Sequence, residues 1–283
     1  MPERPKRENI MLAYPSNPGR IQRLGAVFAL QPKYKGERCR IEWFHNKPVA
    51  ISSYGNEFKF MEHITNAVEL FKDFPFDGEL YKHTWPQGRI NSAASTTRLK
   101  RNPDTISLSY YIYDLQLPSI PQSKRLQALK ALKQHFPKNE NFSLKISPSW
   151  EVTKDTWLPH AANLIENNYE GAIFRGLKGL YTNKRSTSLL KFKPTEIDTY
   201  RITKVIEAIS TIGERKGIVG SFLVKAEDED ISFKVGAGKL THKERKKIWE
   251  NKDSVIVKYL EVKQELTRTE KGIPECATAI RVI

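Results

Sequence analysis

Lys33 lies in the segment Gln31-Pro32-Lys33-Tyr34-Lys35-Gly36-Glu37-Arg38, directly behind an apolar run that reads as a strand. A lone lysine in such a place reads as a solvated surface residue. Four later segments change that reading: Phe76-Asp77-Gly78-Glu79-Leu80-Tyr81, Tyr110-Tyr111-Ile112-Tyr113-Asp114, Tyr169-Glu170-Gly171-Ala172-Ile173-Phe174-Arg175 and Leu189-Leu190-Lys191-Phe192-Lys193-Pro194. They add two glutamates beside glycines, an aromatic strand and a lysine pair. Residues two apart on a strand face the same way, so Lys191 and Lys193 could reach one phosphate. Each pattern also has a plainer reading. Glu–Gly pairs mark turns, and Tyr113 could serve core packing alone.

In this order and spacing the segments resemble the motif series of the covalent nucleotidyltransferases: ATP-dependent DNA ligases, RNA ligases and mRNA-capping guanylyltransferases. The resemblance runs from about Met11 to the C-terminus. It is closest to the small, phage-like ATP-dependent DNA ligases. Gly78-Glu79-Leu80-Tyr81-Lys82-His83 continues the third motif, and Glu170 stands where capping enzymes usually carry Asp. Tyr181 and Lys184-Arg185-Ser186 look like the ligase linker between the fourth and fifth motifs.

The resemblance implies that Lys33 is the nucleophile that becomes AMP-lysine. AMP then passes to a DNA 5′-phosphate, and a 3′-hydroxyl displaces it. A free lysine is only about 0.1% neutral near pH 7.5, so its surroundings must activate it. The remaining roles follow from the same resemblance. Gln31 would offer its carbonyl to the adenine amine, Arg38 would contact ribose or the nick phosphate, and Tyr113 would stack on adenine. Asp114 would support the strand end. Glu79 would hold ribose or orient the metal, and Glu170 would bind the metal directly or through water. Lys191 and Lys193 would hold the α-phosphate. The implied small molecules are ATP and Mg²⁺, with Mn²⁺ as a substitute, since Mg²⁺ prefers carboxylate, water and phosphate oxygens. Arg98, Lys100, Arg185, Lys243, Lys247 and Arg281 are candidate DNA phosphate contacts. The plainer reading makes the Arg98–Arg101 stretch a solvated loop and the Lys243–Lys247 run an exposed helix face. His83 reads as a hydrogen-bonded structural residue.

Two positions depart from the family pattern. Lys35 stands where an acidic residue is usual; if the strand continued to it, a second ammonium would flank Lys33. The C-terminal motif, usually Gly-x-Pro-Arg, is Gly272-Ile273-Pro274-Glu275, which leaves Arg281 as the main basic candidate.

The elements that must position these residues can be read in outline. Everything up to about Leu24 reads as an irregular lead-in. Strands are predicted at Ala26–Leu30, Cys39–Phe44, around Leu80 and over Leu108–Leu115. Phe58, Met61, Ile64, Val68 and Phe71 recur at helical spacing, with a stop near Asp73–Pro75. Ser123 is the expected N-cap of a helix carrying Leu126, Leu129, Leu132 and Phe136. A further helix takes in Trp157, Ala161, Leu164 and Ile165, and short strands surround Ala172–Arg175 and Leu189–Lys193. Beyond Asp198 the pattern changes to short strands near Tyr200–Ala208, Val219–Val224, Ile231–Val235, Ser254–Glu261 and Thr278–Val282. Thr241 and Glu244 form a capping box for a helix over Lys243–Asn251.

Five strands and one helix in about 85 residues fit an OB-like barrel. Together with the resemblance, this implies an α+β architecture: a nucleotidyltransferase (ATP-grasp-like ligase) domain over 1–198, then a β-barrel OB-fold domain over 199–283. The chain has 283 residues and a formal charge of +15. Residues 199–283 hold 17 basic and 13 acidic side chains, leaving 30 and 19 for residues 1–198. An excess of this size favours a polyanionic partner. Two cysteines, Cys39 and Cys276, exclude a disulfide scaffold or a Cys-rich zinc cluster. No run approaches the roughly 20 apolar residues of a membrane span, and the N-terminus lacks the apolar core of a secretory signal.

The function expected is sealing of 3′-OH/5′-phosphate nicks in duplex DNA by an ATP-dependent DNA ligase. It would act as a monomer with nicked double-stranded DNA as partner and no membrane. The expected location is intracellular, in a bacterial or phage-infected cytoplasm, with nucleus or organelle left open. The alternatives are an RNA ligase or guanylyltransferase using the same lysine, and a non-catalytic nucleic-acid-binding relative.

Overall fold

The computed structural model describes residues 9–72, 74–139, 141–227, 231–266, 268–269 and 271–283. The described chain divides into two compact units, one ending at Phe192 and one beginning at Lys193.

The first unit runs β1 (Leu12–Pro15), α1 (Pro18–Gln22), β2 (Val27–Lys33), β3 (Glu37–Phe44), β4 (Lys47–Ser52), α2 (Glu62–Glu69), β5 (Phe76–Tyr81) and α3 (Gln87–Ala93). It continues with β6 (Ser109–Leu115), α4 (Gln122–Lys133), β7 (Leu144–Ile146), β8 (Trp150–Thr153), α5 (Trp157–Glu166), β9 (Gly171–Gly176) and β10 (Arg185–Phe192). Two five-stranded sheets result, ordered β1-β10-β9-β2-β8 and β4-β3-β5-β6-β7. Phe28, Leu30, Phe174 and Leu190 of the first sheet are buried with Ile21 of α1 and with Ala161 and Leu164 of α5. The second sheet shares a larger core with Ile64 and Val68 of α2, Ile90 of α3, and Leu129 and Leu132 of α4. The three-residue turn 34–36 carries the chain from β2 in one sheet to β3 in the other, so the two meet at that turn.

The second unit holds β11 (Thr195–Ile209), β12 (Arg215–Lys225), β13 (Ser232–Gly236), α6 (His242–Glu250), α7 (Lys252–Val255), β14 (Tyr259–Glu265) and β15 (Thr278–Val282). Its strands close into a barrel ordered β11-β12-β13-β15-β14. Closure is possible because β11 is fifteen residues long. Its first half pairs with β14 and its second half with β12. Ile248 and Trp249 of α6 pack against the barrel core, while Lys243 and Lys247 are exposed. The capping box of Thr241 and Glu244 is present.

Several sequence expectations need correction. The lead-in contains β1, an edge strand parallel to β10, and α1, capped by Asn17 with Pro18 in its first turn. Both are too short for periodicity to reveal. α2 ends at Glu69, and Phe71 stays buried beyond it; Asp73 lies outside the described residues. Ser123 is inside α4, whose N-cap is Pro121. The predicted strand Ser254–Glu261 starts instead as α7, and the backbone reverses at Val257 (φ 74°) before β14 begins. Asp198, the expected boundary, lies inside β11, because pairing with β14 already begins at Thr195.

Candidate active site

Lys33 is the last residue of β2 and stands opposite Gly171 of β9. The Glu170 N–H donates to the Lys33 carbonyl at 3.1 Å. That register sets the Glu170 side chain beside the lysine, and Lys33 Nζ donates to Glu170 Oε2. Beyond Lys33 the chain turns at once. Lys35 is outside the strand, so the alternation that would align it with Lys33 does not reach it. The turn is pinned by Tyr34, which is buried and donates from its hydroxyl to Ser147 Oγ at 2.9 Å. Gly36 is sterically required: a Cβ there would lie 2.4 Å from the Leu80 carbonyl oxygen and 2.7 Å from Glu79 Cγ. The glycine three residues after the lysine therefore lets the turn press against β5.

The second sheet supplies the facing wall. Arg38 on β3 and Glu79 on β5 are cross-strand partners, and Tyr111 on β6 follows next across the sheet. The Arg38 guanidinium grips Asp77 with Nε at 3.0 Å and Nη2 at 2.5 Å, and Nη1 donates to the Met11 carbonyl at 2.7 Å. The Tyr181 hydroxyl also donates to Asp77, at 2.8 Å. Burial pushes the Glu79 carboxyl up to about 8, opposed by Lys33 and Arg38 and reinforced by Glu37 and Glu170. Tyr113 occupies the bulge of β6 opposite the Asp77–Gly78 step, and its ring lies 5.7 Å from the Arg38 guanidinium. Gly78 permits this crossing: a Cβ would come 2.5 Å from the Tyr111 carbonyl oxygen.

Gln31 already has partners within the protein. It is buried, its Oε1 accepts from Arg175 Nε at 2.6 Å, and its Nε2 donates to the Tyr113 carbonyl at 3.1 Å. The carbonyl expected to meet adenine is thus held by an arginine. Asp114 does support the strand end, accepting from the Leu115 N–H at 2.9 Å, but it also accepts from Arg125 and Arg175. Asp77, Arg125, Arg175 and Tyr181 had no site role in the sequence reading. One signal was available: Arg125 stands four residues before Leu129 and seven before Leu132, on the helix face that the apolar spacing buries.

Lys191 lies on β10 opposite Ile173 of β9, two strand spacings or about 10 Å from the β2 strand of Lys33. Lys193 is separated from it. β10 ends at Phe192, and Lys193 Nζ pairs with Glu265 at 2.9 and 3.1 Å within the second unit. Lys193 thus lies one residue past the strand alternation on which the shared face of the two lysines was expected. Arg185 donates to the Ala13 carbonyl and lies over Tyr14. Arg98 donates to Ser92 at 2.7 Å, and Lys100 is exposed. Arg281 pairs with Glu261 at 2.5 Å on the barrel surface. His83 accepts or donates at Nδ1 with the Tyr81 hydroxyl at 2.9 Å, as a structural histidine would.

No three His, Cys, Asp or Glu side chains converge as a ready metal cage among the described residues. An ion that keeps most of its waters needs only one or two protein carboxylates beside substrate phosphates, and Glu79 and Glu170 are the carboxylates near Lys33 that could supply them. Burial and, to a smaller extent, the nearby Glu170 raise the cost of ionising Glu79, and a cation would relieve it. No helix among the described residues is long and apolar enough to cross a membrane.

No protein-family model matches the chain. A stretch of 131 residues is 32% identical to a DNA ligase of African swine fever virus, covering 42% of this chain and 28% of the viral protein. The chain thus spans less than a third of the curated relatives it matches. Solved structures resemble it over nearly its whole length. A Lig E DNA ligase structure superposes with a TM-score of 0.77 at 21% identity, covering 97% of this chain and 98% of that one. The bacteriophage T7 ATP-dependent DNA ligase in complex with ATP gives 0.56 at 13% identity, with 97% and 98% covered. Both share this chain's mixed α+β fold.

Proposed function

We propose that the chain is an ATP-dependent DNA ligase that seals 3′-OH/5′-phosphate nicks through a covalent lysyl-AMP intermediate. The observation that carries this reading is Lys33 at the end of β2, hydrogen-bonded to Glu170 and close enough to Glu79 to oppose the rise of its carboxyl. In the first step Lys33 Nζ attacks the α-phosphorus of ATP, a phosphoramide N–P bond forms, and pyrophosphate leaves. The amine must lose a proton first. Glu170 Oε2, already its hydrogen-bond partner, is the acceptor within reach. Lys191 holds the α-phosphate, Arg38 the ribose or nick phosphate, and the Tyr113 ring the adenine. AMP is then transferred to the DNA 5′-phosphate, and the 3′-hydroxyl displaces it to close the phosphodiester.

Glu79 and Glu170 would hold Mg²⁺, which when bound offsets charge on the phosphate oxygens. The barrel order β11-β12-β13-β15-β14 supports an OB-fold, and its exposed lysines Lys243 and Lys247 are available for DNA phosphates. Lys193 and Arg281 are committed to Glu265 and Glu261 and must exchange partners before either serves a phosphate.

Mass spectrometry after incubation with ATP and Mg²⁺ tests the reading. An AMP adduct is expected on Lys33, absent in Lys33→Ala and severely reduced in Lys191→Ala. An adduct that persists in Lys33→Ala overturns the assignment of the nucleophile. GTP in place of ATP, and RNA ends in place of nicked DNA, test the guanylyltransferase and RNA-ligase alternatives. Affinity for nicked DNA should fall steeply between low and physiological salt, with little dependence on base sequence.

A further inference from the structure

Behind Tyr113 lies more buried charge than adenylyl transfer uses. Asp114 is fully buried and accepts from Arg125 Nε at 2.7 Å and Nη2 at 3.2 Å, from Gln122 Nε2 at 3.2 Å, and from Arg175 Nη1 at 2.6 Å. Arg175 reaches forward from this hub. Its Nε donates to Gln31 Oε1 at 2.6 Å, and its guanidinium lies 5.3 Å from the Tyr113 ring centroid. Gln31 closes the circuit by donating from Nε2 to the Tyr113 carbonyl at 3.1 Å.

Both partners dictate the orientation of the Gln31 amide. Turned over, it would present its NH₂ to a guanidinium and its oxygen to a carbonyl, losing both bonds. A glutamate at position 31 could satisfy Arg175 but would set an acceptor against the Tyr113 carbonyl. Two guanidiniums on one buried carboxylate are costly compared with apolar packing, and such clusters are best justified where one arrangement must be specified. Here the arrangement ties β2, which ends in Lys33, to the bulge that displays Tyr113.

We propose that Arg175 is a positioning residue for the nucleobase: by holding the Gln31 amide and the Tyr113 ring, it sets the affinity and base selectivity of nucleotide binding without touching the reacting atoms. The proposal rests on the adenylyl-transfer reading of this site. Base contacts lie away from the α-phosphorus. Loosening them therefore raises the ATP KM while the single-turnover rate at saturating ATP is retained.

The test measures ATP and GTP binding calorimetrically in a Lys33→Ala background, where no chemistry intervenes, and single-turnover adenylylation with Lys33 intact. Arg175→Lys keeps a charge for Asp114 but cannot span Asp114 and Gln31 together. It is expected to weaken ATP binding about tenfold or more, narrow the ATP-over-GTP preference, and leave the saturated rate within about threefold. Gln31→Met leaves the Asp114 contacts in place and should reproduce the loss, so the test survives if Arg175→Lys does not fold. Unchanged ATP affinity in the folded variants, or a fall in the saturated rate with affinity and selectivity intact, overturns the proposal. Failure of the parent chain to form any AMP adduct would instead count against the ligase reading, which the binding arm measures separately.

Discussion

Among the described residues, the unit ending at Phe192 buries five charged side chains: Arg40, Asp77, Asp114, Arg125 and Arg175. The barrel from Lys193 onward buries no charge there; its buried polar side chains are Ser221 and Gln264. The barrel core is instead Ile202, Val219, Phe222, Val224, Val235, Leu260, Val262 and Ala279, filled from every strand. Its ion pairs are at or near the surface, Arg281 with Glu261 among them. The difference follows from what each unit has to specify. An apolar barrel needs volume and alternation, which many residue combinations supply. On the adenylyl-transfer proposal, the first unit must hold Lys33, Arg38, Glu79 and Tyr113 in one arrangement. Directional bonds from Asp77 and Asp114 do this at a desolvation cost that apolar packing would not incur.

The comparison can be broken most directly at Asp114. Asp114→Ala leaves two buried guanidiniums without their carboxylate and should destabilise the first unit by about 3–5 kcal/mol. Denaturant unfolding checks this, and a loss below about 1 kcal/mol would show that the buried charge carries little. Next in size is a pH effect at Glu79. Its folded value of about 8 lies above the ordinary carboxyl value of 4.5, so the apoprotein binds the extra proton in the folded state. Its stability contribution is full below about 4.5 and is lost as pH rises through about 8. In Glu79→Gln that decline should vanish from melting curves recorded without metal between pH 5 and 9.

In the barrel, Thr241→Ala removes half of the capping box and should cost about 1 kcal/mol, with adenylylation unchanged. The smallest effect is expected at Lys35. Because β2 ends at Lys33, Lys35→Asp should leave the pH profile of single-turnover adenylylation where it was. A profile displaced to higher pH would restore the coupling between the two lysines.

How much could be read beforehand differs by element. β15 matches its predicted range residue for residue, α5 agrees through the apolar spacing of Trp157, Ala161 and Leu164, and α6 agrees within a residue because the Thr241–Glu244 capping box marks its start. β1 and α1 escaped, being four and five residues long. At the site, Lys33 and Glu170 were legible as motif residues, and so was Gly36. Arg125 was not, although a charge on a buried helix face was visible in the spacing.

By itself, then, the sequence determined which residue types were available and in what order: an amine before a close-approach glycine, carboxylates beside glycines, an aromatic strand, and a chain of short strands after it. Those are properties of local spacing, and local spacing survives without coordinates. Only the tertiary structure decided the partners. It gave Glu170 to Lys33, Asp77 to Arg38, Arg175 to Gln31 and Glu265 to Lys193, across separations of 137, 39, 144 and 72 residues. Which donor meets which acceptor at such range depends on sheet order and register, and a strand's own residues encode its alternation but not its neighbour.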